Sequence, residues 1–133
     1  MGKPNKEDLL RVMDREPWLC SCGRANRCLC KSKGIDLLTD REVLRDQVKE
    51  FEFSCRWLSL CLLQESVNLR IPPSYTLKNL VKKWASTYIS NGCFIAAVIH
   101  LGIPYTSYDG SFNIHIGIKS RSPRLQADLK LLP

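Results

Sequence analysis

The fold of this chain is decided by residues 88–118, YISNGCFIAAVIHLGIPYTSYDGSFNIHIGI, which form the least charged run of the sequence. A polar start at 90–92 (Ser-Asn-Gly) leads into an apolar segment at 93–101. Ser and Asn are favoured helix N-caps, and Gly102 is placed for a left-handed C-cap. The pattern therefore predicts a short buried helix that begins near residue 90 and ends before Gly102.

A β-hairpin is predicted directly after this helix. Residues 103–108 and 111–119 alternate in polarity, and Asp109 with Gly110 between them is typical of a two-residue type I′ turn. Because side chains alternate across a strand, one face of the second strand is apolar, with Phe112, Ile114, Ile116 and Ile118. The opposite face carries Asn113, His115, Gly117 and Lys119.

Helices are also predicted upstream of this stretch. Asn5 caps a first helix, which Pro17 ends. The T-x-x-E sequence at 39–42 is a capping box, and no Pro or Gly interrupts 40–69, so we expect one long helix with a kink near 53–54. Its apolar side repeats at steps of three and four residues: Leu44, Val48, Phe51, Cys55, Leu58 and Leu62. This side is expected to pack within the chain, and a short dimer seam is the alternative.

The second half of the long helix, residues 55–63, is apolar on several faces and is expected to be buried. Prolines at 72–73 end it, and the next helix begins at Ser74 or Thr76. That helix has a core stripe of Leu77, Leu80, Val81, Trp84, Ala85 and Tyr88. Three lysines are expected to point away from the stripe: Lys78, Lys82 and Lys83.

Together these patterns predict an α+β fold in a single helix-dominated domain. It has one long central helix, two or three shorter helices and a C-terminal β-hairpin. Residues 1–35 form a basic cysteine-rich segment that a metal could staple, and 36–133 form the helical core with the hairpin. The sequence has no run of about 18 apolar residues and no secretory signal pattern, so we expect a cytoplasmic protein without a membrane partner.

The N-terminal segment contains a candidate zinc site. Cys20, Cys22, Cys28 and Cys30 form the pattern C-x-C-x5-C-x-C, and thiolates suit tetrahedral zinc. The spacing is tighter than in the usual zinc knuckles, so buried apolar packing of Cys20 or Cys28 is the alternative. A mixed site that borrows Cys55 or His100 is a third hypothesis. Zinc is the one cofactor that the sequence indicates.

The charge of the chain, +7, is unevenly distributed. Residues 1–35 hold eight Lys and Arg against four Asp and Glu, 36–71 hold five against seven, and 72–133 hold seven against two. Basic ends favour an anionic partner, such as nucleic acid or a nucleoprotein complex. The candidate contacts are Lys78, Lys82, Lys83, Lys119, Arg121 and Arg124.

No catalytic residues are predicted. The sequence lacks a P-loop, GxGxxG, HExxH and GxSxG. Cys93 and His100 are too far apart on one helix to form a hydrogen-bonded pair. We therefore expect a non-enzymatic binding protein. The alternatives are an inhibitor or adaptor directed at a host protein, a thiol-dependent enzyme, and a winged-helix arrangement with the hairpin as the wing.

Part of the chain resembles a known module. Residues 88–97 (YISNGCFIAA), then Leu101 with Gly102, then Phe112 with Asn113, resemble a module of uncharacterised bacteriophage and prophage proteins. In that module an SNGxxIAA helix runs into a β-hairpin, whose second strand often carries Pro-Asn where this chain has Phe112-Asn113. The resemblance covers under a quarter of the 133 residues and does not include the cysteine-rich segment. It implies a phage or mobile-element origin in a bacterial host, and no known chemistry.

Overall fold

The computed structural model describes residues 2–24, 36–107 and 111–132, and every structural statement below concerns these ranges. The helices are α1 Lys6–Arg15, α2 Leu37–Arg45, α3 Val48–Ser59, α4 Ser74–Ala85, α5 Asn91–His100 and α6 Pro123–Leu129. The strands are β1 Leu19–Cys20, β2 Gly23–Arg24, β3 Tyr105–Ser107 and β4 Ile114–Ile116. They form two separate two-stranded antiparallel sheets, β1-β2 and β3-β4.

Helix α5 lies at the centre of the molecule. Its residues 91–98 are all buried, and it packs against α1, α3, α4 and the β1-β2 sheet. Ser90 is its N-cap, with a side-chain oxygen that accepts a hydrogen bond from the Cys93 N–H at 3.0 Å. Gly102 follows the helix with φ +71°, in the left-handed region. Both helix ends predicted from the sequence are therefore confirmed.

Helix α1 is also confirmed at both ends. The Asn5 side chain accepts from the Asp8 N–H, and the Asp8 carboxylate accepts from the Asn5 N–H, each at 3.0 Å. The helix ends at Arg15, two residues before Pro17. Its buried side, Leu9, Val12 and Met13, joins the core.

The prediction of a single long helix over 40–69 is wrong, because the structure has two helices there, α2 and α3. Helix α2 begins earlier, with Asp36 as its N-cap instead of Thr39, and the chain leaves helical geometry at Gln47 (ψ 48°) before α3 starts. Gln47 is held by the start of α5, because its side-chain oxygen accepts from the Ser90 hydroxyl at 2.6 Å. Its carbonyl also accepts from the Cys93 thiol at 3.3 Å. These tertiary contacts place the break at Gln47 rather than near 53–54.

Helix α3 ends at Ser59 because the following segment pairs with the C-terminal hairpin. The Gln64 N–H donates to the Gly117 carbonyl at 3.0 Å, and the Asn68 N–H donates to the Ile116 carbonyl at 3.0 Å. The Leu62 carbonyl accepts from the Lys119 N–H at 2.8 Å. An extended segment satisfies these backbone groups, and a helix could not. Leu60, Leu62 and Leu63, expected to be buried, are about half exposed.

The C-terminal hairpin forms, with a shifted register. Tyr105 pairs with Ile116 and Ser107 with Ile114, which leaves residues 108–113 between the strands. The prediction of a two-residue connection between the strands is therefore wrong. Asp109 and Gly110, for which a type I′ turn is predicted, lie outside the described residues. The facing of the second strand is confirmed for its isoleucines, since Ile114, Ile116 and Ile118 are fully buried.

The α+β class and the helix-dominated single domain are confirmed. Residues Leu19 and Cys20 of the N-terminal segment are buried with the rest of the core. The proposed boundary at residue 35 lies outside the described residues. Among the described residues, no helix is both long and apolar enough to cross a membrane.

Candidate functional site

Strands β1 and β2 form a tight hairpin over residues 19–24, called the cysteine hairpin below. Leu19 pairs with Arg24 and Cys20 with Gly23, so Ser21 and Cys22 form the turn. Gly23 has φ +127°, and a Cβ built there would lie 2.2 Å from the Phe112 carbonyl oxygen. The turn therefore requires glycine both for its backbone conformation and for its close approach to the second hairpin.

The first turn of α5 holds this cysteine hairpin in place. The Gly92 N–H donates to the Ser21 carbonyl at 2.9 Å. A Cβ on Gly92 would lie 1.7 Å from the Cys20 carbonyl oxygen, so the two backbones touch. The Asn91 side-chain NH₂ donates to the Cys22 carbonyl at 2.9 Å, to Asn113 Oδ1 at 3.1 Å and to the Phe112 carbonyl at 3.3 Å. The Ser-Asn-Gly sequence thus joins the helix to both hairpins.

Asp40 of α2 completes a cluster with two of the predicted metal ligands. The ligand atoms of Cys20, Cys22 and Asp40 all lie within 4.8 Å of one another. Cys20 is buried, Cys22 is partly buried, and Asp40 is 5% exposed. The two carboxylate oxygens accept from the Ser21 N–H and the Ser21 hydroxyl, each at 2.6 Å.

The cluster suits a tetrahedral soft-metal site. Zinc binds thiolate sulfur at ~2.3 Å and carboxylate oxygen at ~2.0–2.2 Å, which places neighbouring donors roughly 3.5–4 Å apart. Cys28 and Cys30 lie outside the described residues, so the four-cysteine prediction is seen only at Cys20 and Cys22. The hypothesis of a site that borrows Cys55 or His100 finds no support among the described residues, because both of these line a different pocket.

Arg41 fixes the orientation of α2 behind the cluster. Its guanidinium donates to the carbonyls of Met13, Glu16 and Leu19 at 2.8, 2.9 and 2.7 Å. Burial lowers the pKa of Arg41 from its ordinary value, and the nearby Arg45 lowers it further. The Arg41 guanidinium therefore caps the end of α1 and ties α2 to the residues that lead into the cysteine hairpin. Asp40, the preceding residue of α2, is thereby held close to that hairpin.

A cleft of about 360 Å³ opens beside the cluster, with Ser21 and Cys22 in its wall. Lys78 of α4 lies in this cleft and is 6% exposed. Its Nζ lies 4.5 Å from the centroid of the Tyr75 ring and 5.4 Å from that of the Tyr88 ring. Burial lowers the pKa of Lys78, and repulsion from Lys82 lowers it further. No carboxylate forms an ion pair with Lys78 in the described part of the chain.

The six predicted basic contacts do not form one surface. Contrary to expectation, Lys78 is buried, whereas Lys82 and Lys83 on the same helix are exposed. Lys83 donates to the Leu131 carbonyl at 3.0 Å. The predicted inner position of Tyr88 is also wrong, because this side chain is 58% exposed.

The remaining predicted cations belong to the C-terminal part of the chain. Lys119 and Arg121 line a shallow depression of about 340 Å³. Arg124 instead donates to both carboxylate oxygens of Asp128, at 3.0 and 2.7 Å. Asp128 also accepts from the Trp57 indole N–H at 2.6 Å. Arg124 is thus paired within α6, and Asp128 attaches α6 to α3 through Trp57.

Three buried thiols are protonated at neutral pH. Burial, with smaller contributions from acidic neighbours, raises the pKa of Cys55 and of Cys61 to about 12. Burial raises the pKa of Cys93 well above its ordinary value, and the thiol donates to the Gln47 carbonyl. None of the three has the thiolate character that a nucleophilic cysteine needs.

Sequence reasoning missed Asp40, Asn91 and the two tyrosines of the cleft. In the sequence, Asp40 lies within the capping box at 39–42, and its distance along the chain from the cysteines gives no indication of a metal site. The cleft left a weak signal, because Tyr75, Lys78 and Lys82 lie at i, i+3 and i+7, which is one side of a helix.

No protein-family model, no curated protein and no solved structure matches this chain. The resemblance to a phage module therefore stays a prediction.

Proposed function

We propose that this chain is a small basic, non-enzymatic protein of phage or mobile-element origin that binds nucleic acid or a nucleoprotein complex. One observation carries the proposal. Lys82, Lys119 and Arg121 have no carboxylate partner among the described residues. Charges left unpaired at a surface are available to phosphates, and binding then releases the counterions of the nucleic acid.

The C-terminal half has little acid to offset these cations. Residues 72–133 contain two acids, and one of them, Asp128, is paired with Arg124. Outside this half, three of the cations are paired with acids: Lys6 with Asp46, Arg11 with Asp8 and Arg45 with Glu42. The C-terminal half therefore carries +5 of the net charge of +7, and Lys82, Lys119 and Arg121 are among its cations.

The test is the salt dependence of binding to a fluorescent oligonucleotide, measured by anisotropy between about 50 and 200 mM salt. The Lys82→Ala/Lys119→Ala/Arg121→Ala variant should weaken binding and reduce the slope of log K against log salt by roughly three. The control, Lys6→Ala/Arg11→Ala/Arg45→Ala, removes the same charge from paired sites and should bind as wild type. Absence of binding at low salt, or an equal loss in the control, would contradict the proposal. Nuclease-resistant capture of one host protein without such binding would favour the adaptor alternative.

We propose in addition that zinc is bound by Cys20, Cys22 and Asp40, with a fourth ligand from Cys28 or Cys30. The donor set supports this assignment, because two cysteine sulfurs and a carboxylate converge beside the first turn of α5. Zinc there would be structural and would attach the cysteine-rich segment to the core. Cobalt titration tests it, since thiolate ligands give Co²⁺ intense charge-transfer absorption. Cys22→Ser should weaken that absorption, whereas Cys61→Ser, the same change outside the cluster, should leave it intact.

A further inference from the structure

The cleft beside the cysteine hairpin contains the ammonium group of Lys78, which no carboxylate of the described residues pairs with. Lys78 is 6% exposed and makes no ion pair within the described residues. Among the described residues, the aromatic rings that contact the Lys78 ammonium are those of Tyr75 and Tyr88. Cation–π contacts stabilise an ammonium, but far less than burial without a counterion destabilises it.

The neighbouring charges increase this imbalance. Lys82 lines the same cleft and repels Lys78. Asp40 is the carboxylate next to the Ser21 wall of the cleft, and both its oxygens are engaged by Ser21. Two lysines that share a confined space, with no ion-paired carboxylate among the described residues, favour an anion between them.

The walls of the cleft are suited to a flat, polar ligand. The Tyr75 and Tyr88 side chains are 48% and 58% exposed, so each ring offers surface to a ligand. Asn91 also lines the cleft, and its Oδ1 is buried without a donor from the described residues. Aromatic rings beside cations are the common way to hold an unpaired nucleic-acid strand, with bases on the rings and phosphates on the cations.

We propose that this cleft binds a phosphate group of a single nucleic-acid strand, with the phosphate at Lys78 and Lys82 and the adjoining base against Tyr75 or Tyr88. The inference deepens the proposed function, on which it rests. A free phosphate or a mononucleotide has the same anionic chemistry, and the experiment separates these sources from a strand.

The experiment compares binding of a fluorescent oligothymidylate and of a duplex of equal length. The Tyr75→Ala/Tyr88→Ala variant changes exposed side chains and should keep the fold. It should lose roughly tenfold or more in affinity for the single strand and little for the duplex. Lys78→Met removes the charge, keeps the apolar stem and should weaken single-strand binding. Lys119→Ala/Arg121→Ala, outside the cleft, should weaken both ligands alike.

The outcomes separate this inference from the proposed function. If the tyrosine variant binds the single strand as wild type does while the Lys119/Arg121 variant loses affinity, the cleft is overturned and nucleic-acid binding survives. If wild type binds neither oligonucleotide, the proposed function fails. In that case, binding of inorganic phosphate tests whether the cleft is an anion site at all. If the melting temperature is higher in phosphate than in chloride at equal ionic strength, and this difference is lost in Lys78→Met, the cleft is a phosphate site for a free ligand. If the melting temperature does not rise, the phosphate site is overturned.

Discussion

Asn91 and Gly92 have separate tasks in the first turn of α5. Asn91 binds backbone and side-chain acceptors of both hairpins through one amide group. Gly92 lets the Cys20 carbonyl approach the helix backbone more closely than any Cβ would permit. A side chain at position 92 would push the cysteine hairpin away from α5.

Gly92→Ala tests this close approach. Helix propensity alone predicts that alanine stabilises α5 by about 1 kcal/mol. The clash with Cys20 reverses the sign, and we expect a loss of roughly 3 kcal/mol in the free energy of unfolding, because backbone must move. Gly102→Ala is the control. Its Cβ would meet nothing within 4 Å, so only the left-handed conformation is strained, for about 1–2 kcal/mol. Urea denaturation measures both, and a stabilised Gly92→Ala would contradict the contact.

The buried thiols predict a loss of stability at alkaline pH. Cys55 and Cys61 have their pKa raised from 9.0 to about 12 in the fold. Above pH 9 the unfolded chain loses these protons and the folded chain keeps them, so stability is full below pH 9 and falls as pH rises toward 12. Urea midpoints should fall less steeply over this range in Cys55→Ala/Cys61→Ala than in wild type. Parallel curves would show that the thiols are not the cause.

At the scale of elements, local signals were sufficient where local contacts decide. The caps at Asn5 and Ser90 and the left-handed glycine at 102 follow from sequence, because each concerns backbone groups within four residues. The long helix failed because residues far away in sequence compete for its backbone. The Cys93 thiol donates to the Gln47 carbonyl, and the Gln64 N–H donates to the Gly117 carbonyl. No local pattern reveals such partners.

Arg41 links α1, α2 and the cysteine hairpin, and Arg41→Lys tests that link. A lysine cannot donate in the fork geometry that reaches the Met13, Glu16 and Leu19 carbonyls together. We expect a loss of about 2–3 kcal/mol in unfolding free energy, since buried carbonyls lose partners. Arg45→Lys changes an exposed pair with Glu42 on the same helix and should cost under ~0.5 kcal/mol. Similar costs for the two variants would count against the role of Arg41.

At the scale of the whole molecule, net charge predicts less than the location of each charge. Of the six predicted basic contacts, Lys78 is buried in the cleft and Arg124 is paired with Asp128, whereas Lys82 and Arg121 are exposed. Composition indicates an anionic partner for all six alike. Only the fold distinguishes cationic side chains that are buried or ion-paired within the protein from those that are exposed to a ligand.

Arg124→Ala and Arg121→Ala should therefore differ in kind. The first leaves the buried Asp128 carboxylate without its cation and should lower the unfolding free energy by about 2–3 kcal/mol, with little change in nucleic-acid affinity at temperatures where the variant is folded. The second should leave stability unchanged and weaken binding. Thermal melts and anisotropy measure the two effects. The reverse assignment would show that Arg124 is released from Asp128 to contact the ligand.

The cluster was only partly predictable for the same reason as the long helix. The C-x-C spacing indicates Cys20 and Cys22, because thiols so close in sequence are close in space. Asp40 reaches them through the packing of α2 on β1. The cleft needs a further long-range contact, between α4 and the cysteine turn, that hydrophobic spacing does not encode.

The cluster of Cys20, Cys22 and Asp40 is built by the cysteine hairpin and α2. The close contact at Gly92 holds the cysteine hairpin in place, and the cleft with Lys78 lies beside it. The metal content of the cluster is the most direct measurement. Native mass spectrometry of the purified chain, supplied with zinc and desalted, should show about one zinc per molecule. The Cys20→Ser/Cys22→Ser variant should show none, and Cys61→Ser should show the wild-type value. Zinc-free wild-type protein, or retention of zinc without Cys20 and Cys22, would contradict the metal site.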